Sequence, residues 1–192
     1  MIMPDPIDWT EWYEMTRSQP PNDLLVEALS HAKDIGKAID IGGGALKDSR
    51  LLLQKGFDVT VIDKSPLLEK EAGEIKNPRL HYFMTSFEDY SFPVEEYDLA
   101  SAMHSLSYCD PVYFDHVITN IKSSLKKGGI FCGQMYDSCD QWSKNLQAHR
   151  TYTTADQARK YLSDMEIILF KEEETEKGRT KHWHIYDFIA RK

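Results

Sequence analysis

The residues best suited to chemistry lie in two short stretches near the start of the chain. Three consecutive glycines, Gly42-Gly43-Gly44, follow the apolar run 37–41 and precede a segment with helical spacing. A second apolar run, 57–62, ends at Asp63, 19 positions after Gly44. Glycines let the backbone turn sharply and let a ligand approach without meeting a Cβ, and the following helix offers unpaired N–H groups. Because a carboxylate at the tip of a second strand can accept both ribose hydroxyls of an adenosine, the two stretches predict an adenosine-containing cofactor.

Two residues beside the glycines distinguish between adenosine cofactors. The dinucleotide fingerprint Gly-x-Gly-x-x-Gly, begun at Gly42, would place its last glycine at position 47, which is Lys47. Asp40 puts a negative charge where a pyrophosphate would bind poorly and a cationic amino acid would bind well. The pattern therefore favours S-adenosylmethionine (SAM), with S-adenosylhomocysteine (SAH) as product, over NAD. An NAD-linked oxidoreductase, and a glycine turn with a structural acid, are the alternatives.

Polar and aromatic side chains at later strand ends are candidates for the reaction itself. Ligands of α/β sheets bind at the carboxyl ends of strands, and His104 follows the apolar run 97–103 at such an end. The other side chains at these ends are Tyr108, Gln134 and Tyr136. His104 is the preferred general base if the acceptor must lose a proton, and Tyr13 is the second candidate catalytic residue.

The elements that must position these residues alternate between strand and helix. Apolar residues at three- and four-residue spacing predict helices, and short apolar runs between turn residues predict strands. The predicted strands cover 37–41, 57–62, 80–84, 97–103, 130–135, 166–171 and 182–190, and the predicted helices cover 22–33, 45–54, 66–75, 111–125 and 154–163. This order predicts an α/β fold with a Rossmann-like, doubly wound, mostly parallel seven-stranded sheet. The last two strands, joined by the charged segment 172–178, predict a C-terminal antiparallel hairpin.

Length, charge and cysteine content limit the remaining possibilities. The 192 residues suit a single domain, with an N-terminal segment 1–21 and a core 22–192. The formal net charge of −8 argues against an extended nucleic-acid surface, which needs clustered lysine and arginine. No apolar stretch approaches the ~20 residues of a membrane span, and the N-terminus lacks a signal-peptide pattern. The three cysteines do not have the spacing of a zinc site, and they fit a reducing compartment, so we expect a cytoplasmic protein. We expect it to be a monomer or a homodimer.

A metal site is not expected. His182 and His184 would share one face of a strand, but two ligands are too few and no acidic or cysteine partner stands at a suitable spacing.

The sequence also resembles a known family. Segments 38–44 and 56–66 resemble motif I and the second strand of class I SAM-dependent methyltransferases, most closely the small bacterial enzymes of the tellurite-resistance and thiopurine type. Segment 97–102 looks like the fourth strand of that family, and 125–131 is similar to its Leu-Lys-Pro-Gly-Gly segment before strand five. The resemblance covers about residues 22–135. It implies a methyltransferase, and the absence of an added nucleic-acid module favours a small-molecule acceptor.

The resemblance implies contacts with the cofactor by position. The residues that would contact SAM are Asp40, Gly42, Gly43 and Gly44 at its methionine part, Asp63 at its ribose, Lys64, Ser86 and Phe87 at its adenine, and His104 at the methyl group. In similar proteins the N-terminal segment folds over the cofactor as a lid. Tyr13 and Arg17, four residues apart, would share a helix face there, and Arg17 would meet the SAM carboxylate.

Two positions depart from the family pattern. The family usually has a third glycine two positions after Gly44, and here that position is Leu46. A side chain there would either crowd the cofactor or enter the helix packing. Ser86 stands where an aspartate is common, which removes one partner for the adenine amino group. Leu46, together with the lack of a clear base, leaves a non-catalytic SAM-binding or scaffold protein as a further alternative.

Overall fold

The secondary structure alternates between strand and helix, as the sequence predicts. A computed structural model describes residues 9–140, 143, 150–174 and 183–192. The strands of this part of the chain are β1 Lys37–Ile41, β2 Asp58–Asp63, β3 Leu80–Met84, β4 Tyr97–Ala102, β5 Leu125–Tyr136, β6 Glu166–Glu174 and β7 His184–Arg191. Its α-helices are α1 Trp9–Thr16, α2 Asp23–His31, α3 Lys47–Lys55, α4 Leu67–Glu74, α5 Phe114–Ser124 and α6 Ala155–Tyr161, and a short 3-10 helix spans Leu106–Tyr108.

The strands form one mixed sheet in the order β3-β2-β1-β4-β5-β7-β6. Strands β1 to β5 pair in parallel, whereas β7 pairs antiparallel with both β5 and β6. This confirms the predicted Rossmann-like sheet with its C-terminal hairpin. The winding reverses between β1 and β4, so the loops after these two strands diverge and leave a crevice at their carboxyl ends.

Helices cover both faces of the sheet and bury the parallel strands. The apolar residues of α2, α3 and α4 pack on one face, and those of α5 and α6 pack on the other. Strand β1 is accordingly buried along its whole length except at Lys37. A strand that is covered on both faces reads as a continuous apolar run, which is why 37–41 was recognisable in the sequence.

Three element boundaries differ from the sequence prediction by three or more residues. Strand β5 begins at Leu125, five residues before the predicted start, because Leu125 pairs with Tyr97 at the start of β4. Within this first part of β5, Gly128 donates a backbone hydrogen bond to Lys192 (2.7 Å). Strand β6 continues to Glu174, so the first half of the predicted charged turn is paired with β7. Helix α5 begins at Phe114 rather than at residue 111, after a turn.

Leu46 lies in the core rather than in the crevice. It precedes α3 with a left-handed backbone (φ 61°, ψ 22°), and its fully buried side chain packs with the apolar residues of α2, α3 and α4. The departure from the family's glycine therefore leaves the crevice clear. A left-handed backbone costs a non-glycine residue about 1–2 kcal/mol, and burying a leucine contributes about 1.5–3 kcal/mol.

We predict that Leu46→Gly and Leu46→Ala both lower the free energy of unfolding, by about 1–4 kcal/mol, because the lost buried side chain outweighs the relieved strain. The glycine variant should be the more stable of the two by about 1 kcal/mol, since alanine keeps a Cβ on the left-handed backbone. Denaturant titration of both variants measures the difference. An alanine variant at least as stable as the glycine variant would contradict the strained backbone.

Candidate functional site

A cavity of about 1060 Å³ lies at the carboxyl ends of β1, β2, β3 and β4. Its walls come from the loops after these strands and from α1, and Tyr136 and Trp183 complete them. Of the residues predicted to contact the cofactor, the cavity is lined by Asp40, Gly42, Gly43, Gly44, Asp63, Lys64, Ser86, Phe87 and His104. Ligand pockets commonly measure about 300–1,000 Å³, so this cavity has room for a cofactor together with a small second molecule.

The glycine loop is pressed between β2 and the end of β4. A Cβ on Gly42, whose φ is +74°, would lie 2.5 Å from Ser105 Cβ, and a Cβ on Gly43 would lie 2.4 Å from Val61 Cγ1. Gly44 behaves differently, because a Cβ there would meet no atom within 4 Å. The first two glycines therefore allow the close approach, and the third presents bare backbone to the cavity.

Asp63 holds the glycine loop and keeps acceptor capacity for a ligand. Its Oδ2 accepts a hydrogen bond from Gly44 N (2.9 Å), and its Oδ1 accepts one from Ser65 N (2.8 Å). Burial raises the pKa of Asp63, although these two hydrogen bonds and Lys64 lower it. Each carboxylate oxygen can accept a second hydrogen bond, so the side chain can serve both hydroxyls of a ribose.

Carboxylates crowd the wall below the glycine loop. Asp40 is buried and accepts a hydrogen bond from the Ser49 hydroxyl, and Asp48 accepts one from Asn22 N (2.7 Å). Burial and the charge of Asp48 raise the pKa of Asp40 to about 7, and burial also raises the pKa of Asp48. Lys47 Nζ lies 4.0 Å from Asp48 Oδ1 and lowers the pKa of both acids. This wall favours a ligand that carries positive charge.

His104 is held at the end of β4 by hydrogen bonds and has a strained backbone. Its φ is +54°, its N–H donates to Gln134 Oε1 (2.9 Å), Nδ1 lies 3.1 Å from Tyr136 Oη, and Nε2 lies 3.4 Å from Asn22 Nδ2. Strain of this kind is concentrated at functional sites. Burial, with a smaller contribution from Lys47, lowers the pKa of His104 to about 4, so the imidazole is neutral at neutral pH.

The structure places Arg17 outside the cavity. The guanidinium makes a two-pronged ion pair with Glu71, a buried residue of α4, with Nε donating to Oε2 at 3.0 Å. Arg17 therefore anchors the end of α1 to α4 and does not line the cavity in which SAM is expected. Lys47 is the cation beside Asp40, and the sequence marked it only as a break in the dinucleotide fingerprint. The position of Lys47 at the first helical residue after the glycine loop was the sequence feature that could have identified it as a cavity residue.

Tyr13 lines the cavity, but its surroundings do not suit a base. The acids that act on its hydroxyl are Asp63 and Glu71, which places it with the carboxylate expected to bind ribose rather than with His104. Burial, followed by the charge of Asp63, raises the pKa of Tyr13 above that of an ordinary tyrosine. A phenol that stays protonated can donate a hydrogen bond and cannot remove a proton.

Aromatic side chains line the cavity beyond His104. The rings of Trp9 and Tyr108 meet edge to face with centroids 5.1 Å apart, and Arg150 lies 4.2 Å from the Tyr108 centroid. The rings of Tyr136 and Trp183 lie 5.8 Å apart. These side chains give the cavity an apolar end, opposite in character to the acidic wall.

No group of three or more potential metal ligands occurs among the residues that the structure describes. His182, considered above, lies outside that part of the chain, and His184 contacts Glu172 (2.6 Å) and Asp137 (3.5 Å). In the same described part of the chain, no helix has the length and apolar character needed to cross a membrane.

Comparison with known proteins identifies the family and the fold of the chain. The model of a family described as a methyltransferase domain matches residues 13–184. A search of curated proteins found no significant match. Among solved structures, the fold is similar to 1,6-didemethyltoxoflavin-N1-methyltransferase from Burkholderia thailandensis, which was solved with 1,6-didemethyltoxoflavin and SAH bound (TM-score 0.70, 16% identity, 96% of this chain and 85% of that chain).

Two further solved structures have similar folds. TehB from Haemophilus influenzae gives a TM-score of 0.75 at 18% identity, covering 94% of this chain and 65% of that chain. The N-methyltransferase NodS from Bradyrhizobium japonicum, solved with SAH, gives 0.69 at 14% identity, covering 96% and 98%. At these identities the structural likeness concerns the fold.

We predict that the buried Asp40 makes the fold less stable as the pH rises. The pKa of Asp40 is about 7 in the folded protein against an ordinary 3.8. The stabilisation of the fold by protonated Asp40 is therefore fully present below pH 3.8 and is lost as the pH rises towards 7. Relative to Asp40→Asn, the wild-type free energy of unfolding should fall by on the order of 2–4 kcal/mol between pH 4 and pH 8.

Denaturant titrations of the ligand-free protein across that pH range measure the two profiles. Ser49→Ala is a second, matched variant, because loss of its hydrogen bond raises the pKa of Asp40 further. The decline in the free energy of unfolding should then extend to higher pH. Parallel profiles for the wild type and Asp40→Asn would contradict the prediction.

Proposed function

Because this chain belongs to the methyltransferase-domain family and is a methyltransferase that uses SAM, we propose that it transfers the methyl group to a small-molecule acceptor. One observation carries the proposal: a single cavity joins the glycine loop and Asp63 to an aromatic end beside His104. The Burkholderia enzyme with a similar fold was solved with a small acceptor bound, which supports the proposal. Family membership sets aside the alternatives of an NAD-linked oxidoreductase and a non-catalytic scaffold.

We propose that Asp63 and the loop after β3 hold the adenosine. The second acceptor sites of the Asp63 carboxylate suit the ribose hydroxyls, and Gly44 leaves open space beside them. Ser86 and Phe87 line the cavity where the adenine would lie. Asp89 also lines it and accepts a hydrogen bond from the Ser86 hydroxyl (2.8 Å), so Asp89 can serve the adenine amino group in place of the aspartate common at position 86.

We propose that Lys47, rather than Arg17, meets the carboxylate of the methionine part. Lys47 lines the cavity, whereas Arg17 is engaged with Glu71. Asp40 would then face the ammonium group. The buried hydroxyl of Ser105, which has no hydrogen-bond partner among the residues that the structure describes, adds a polar group on the same side of the glycine loop.

The chain's own part in methyl transfer would be alignment and exclusion of water. When bound, SAM supplies a methyl group already activated by its sulfonium, so a methyltransferase mainly orients an acceptor towards that methyl. The side chains that would enclose a small planar or apolar acceptor beside His104 are Trp9, Tyr108, Tyr136 and Trp183.

We also propose that segment 1–21 acts as a lid on a single domain, 1–192. In its described part, Trp9, Trp12, Tyr13 and Thr16 of α1 line the cavity, and Arg17 fastens α1 to α4. A monomer or homodimer in the cytoplasm is our proposal for its setting. Three free cysteines, Cys109, Cys132 and Cys139, are consistent with a reducing compartment.

We predict that Asp63→Asn weakens SAH binding about 10–100-fold, because hydrogen bonds to a charged group contribute about 1.5–3 kcal/mol. Adenosine alone should lose affinity to a similar extent, since it carries the same ribose. Titration calorimetry measures both ligands. Asp58→Asn, at the partly exposed start of the same strand, is the control that should leave both affinities unchanged. No saturable SAM or SAH binding to the wild type would refute the proposed function.

We predict a different pattern of ligand affinities for Lys47→Met. It should weaken SAM and SAH about 10-fold or more while leaving adenosine unaffected, because adenosine has no carboxylate. Arg17→Met should leave all three affinities nearly unchanged and instead destabilise the fold, since it strands the buried Glu71. If Arg17→Met weakens SAH and Lys47→Met does not, the assignment of the carboxylate site is wrong.

A further inference from the structure

We propose that Asn22 is a positioning residue that fixes His104 as its Nδ1–H tautomer, so that His104 passes a hydrogen bond to Tyr136 and does not act as a general base. The inference rests on the proposed function only in naming the cavity as the site of methyl transfer. It revises the expectation from sequence that His104 is the preferred base.

The amide of Asn22 has its orientation set by the start of α2. Asn22 is the N-cap residue, and its Oδ1 accepts a hydrogen bond from Leu24 N (3.0 Å). Its backbone N–H donates to Asp48 Oδ1 (2.7 Å), which ties the cap residue to α3. With Oδ1 committed to the helix, the amide nitrogen Nδ2 is the atom that faces His104. The usual ambiguity between amide oxygen and nitrogen is therefore removed by the capping bond.

This orientation determines where the imidazole proton lies. An amide nitrogen only donates, so His104 Nε2, 3.4 Å from Asn22 Nδ2, must be the acceptor. A neutral imidazole with an unprotonated Nε2 carries its proton on Nδ1. Nδ1 lies 3.1 Å from Tyr136 Oη, so the ring donates to the tyrosine. Both ring nitrogens are thus engaged by protein groups.

The hydrogen bond made by the His104 backbone and the charges around the ring both favour the neutral Nδ1–H form of the imidazole. The bond from His104 N to Gln134 Oε1 holds the left-handed backbone, which limits reorientation of the side chain. Lys47 of α3 is the charged group that acts on the imidazole, and it opposes protonation, as burial does. Beyond Tyr136 lie the charged and titratable groups that act on that tyrosine, namely Tyr108, Asp140, Arg150 and Tyr152.

Nitrogen NMR of the protein labelled with ¹⁵N-histidine tests the proposal directly. The chain has seven histidines, and loss of one signal pair in His104→Gln assigns the residue. At neutral pH, wild-type His104 should show a protonated Nδ1 and an unprotonated Nε2. A protonated Nε2, or rapid exchange between tautomers, would overturn the proposal.

Asn22→Asp reverses the polarity of the contact while keeping a good helix cap. A carboxylate oxygen then faces Nε2, so that nitrogen should become protonated and the pKa of His104 should rise by about 1–3 units. Asn22→Ser is the matched control, because serine also caps the helix but is too short to reach the ring; there the tautomers should mix. Unchanged nitrogen shifts in both variants, with unfolding midpoints like that of the wild type, would show that Asn22 does not set the tautomer.

These measurements need neither cofactor nor acceptor. A failure of SAM to bind would refute the proposed function and leave the tautomer result standing. Conversely, normal SAM binding by a protein whose Nε2 is protonated would refute only the role of Asn22.

Discussion

The close approach of the glycine loop to its two neighbouring strands is the constraint on which the site depends. Gly42 lies against Ser105 after β4, and Gly43 lies against Val61 of β2, in gaps that no side chain could occupy. Because β1 stands between β2 and β4, this contact brings three loops to one crevice. The bond from Gly44 N to Asp63 closes the arrangement, so the residue that would bind ribose also holds the loop against which the cofactor would rest.

Electrostatics and packing give the two ends of the cavity different roles. At one end, buried Asp40 and Asp48 together with Lys47 form a wall that suits the charged ends of an amino acid. At the other end, beyond the neutral His104, aromatic rings line the cavity. Burying the acids costs stability in the ligand-free protein, and a cationic ligand would recover part of that cost by favouring the ionised form of Asp40. The buried acids that destabilise the ligand-free fold would therefore increase the affinity for a cationic ligand.

Local patterns were enough to predict the sheet, the glycine loop and Asp63, because each depends on residues close together in sequence or on the order of elements. Contacts between distant segments were not predictable in this way. Arg17 was expected to face the cofactor, but its partner Glu71 lies on another helix, and no local pattern marks that pair. The start of β5 was misplaced because Leu125 pairs with Tyr97 of β4, which is distant in sequence. Whether the Leu46 side chain crowds the cofactor or enters the helix packing depends on which side of the start of α3 faces the core. The sequence alone is compatible with both packings.

We propose that the cavity holds SAM with its methyl group facing His104 and Tyr136. An isotope-filtered NOE experiment with SAM labelled with ¹³C at the methyl group tests it most directly. We expect contacts from the methyl protons to the ring protons of His104 or Tyr136, with the adenine protons near Phe87. Methyl contacts to Tyr13 in place of these two rings would contradict it, because Tyr13 lies with Asp63 at the ribose side of the cavity.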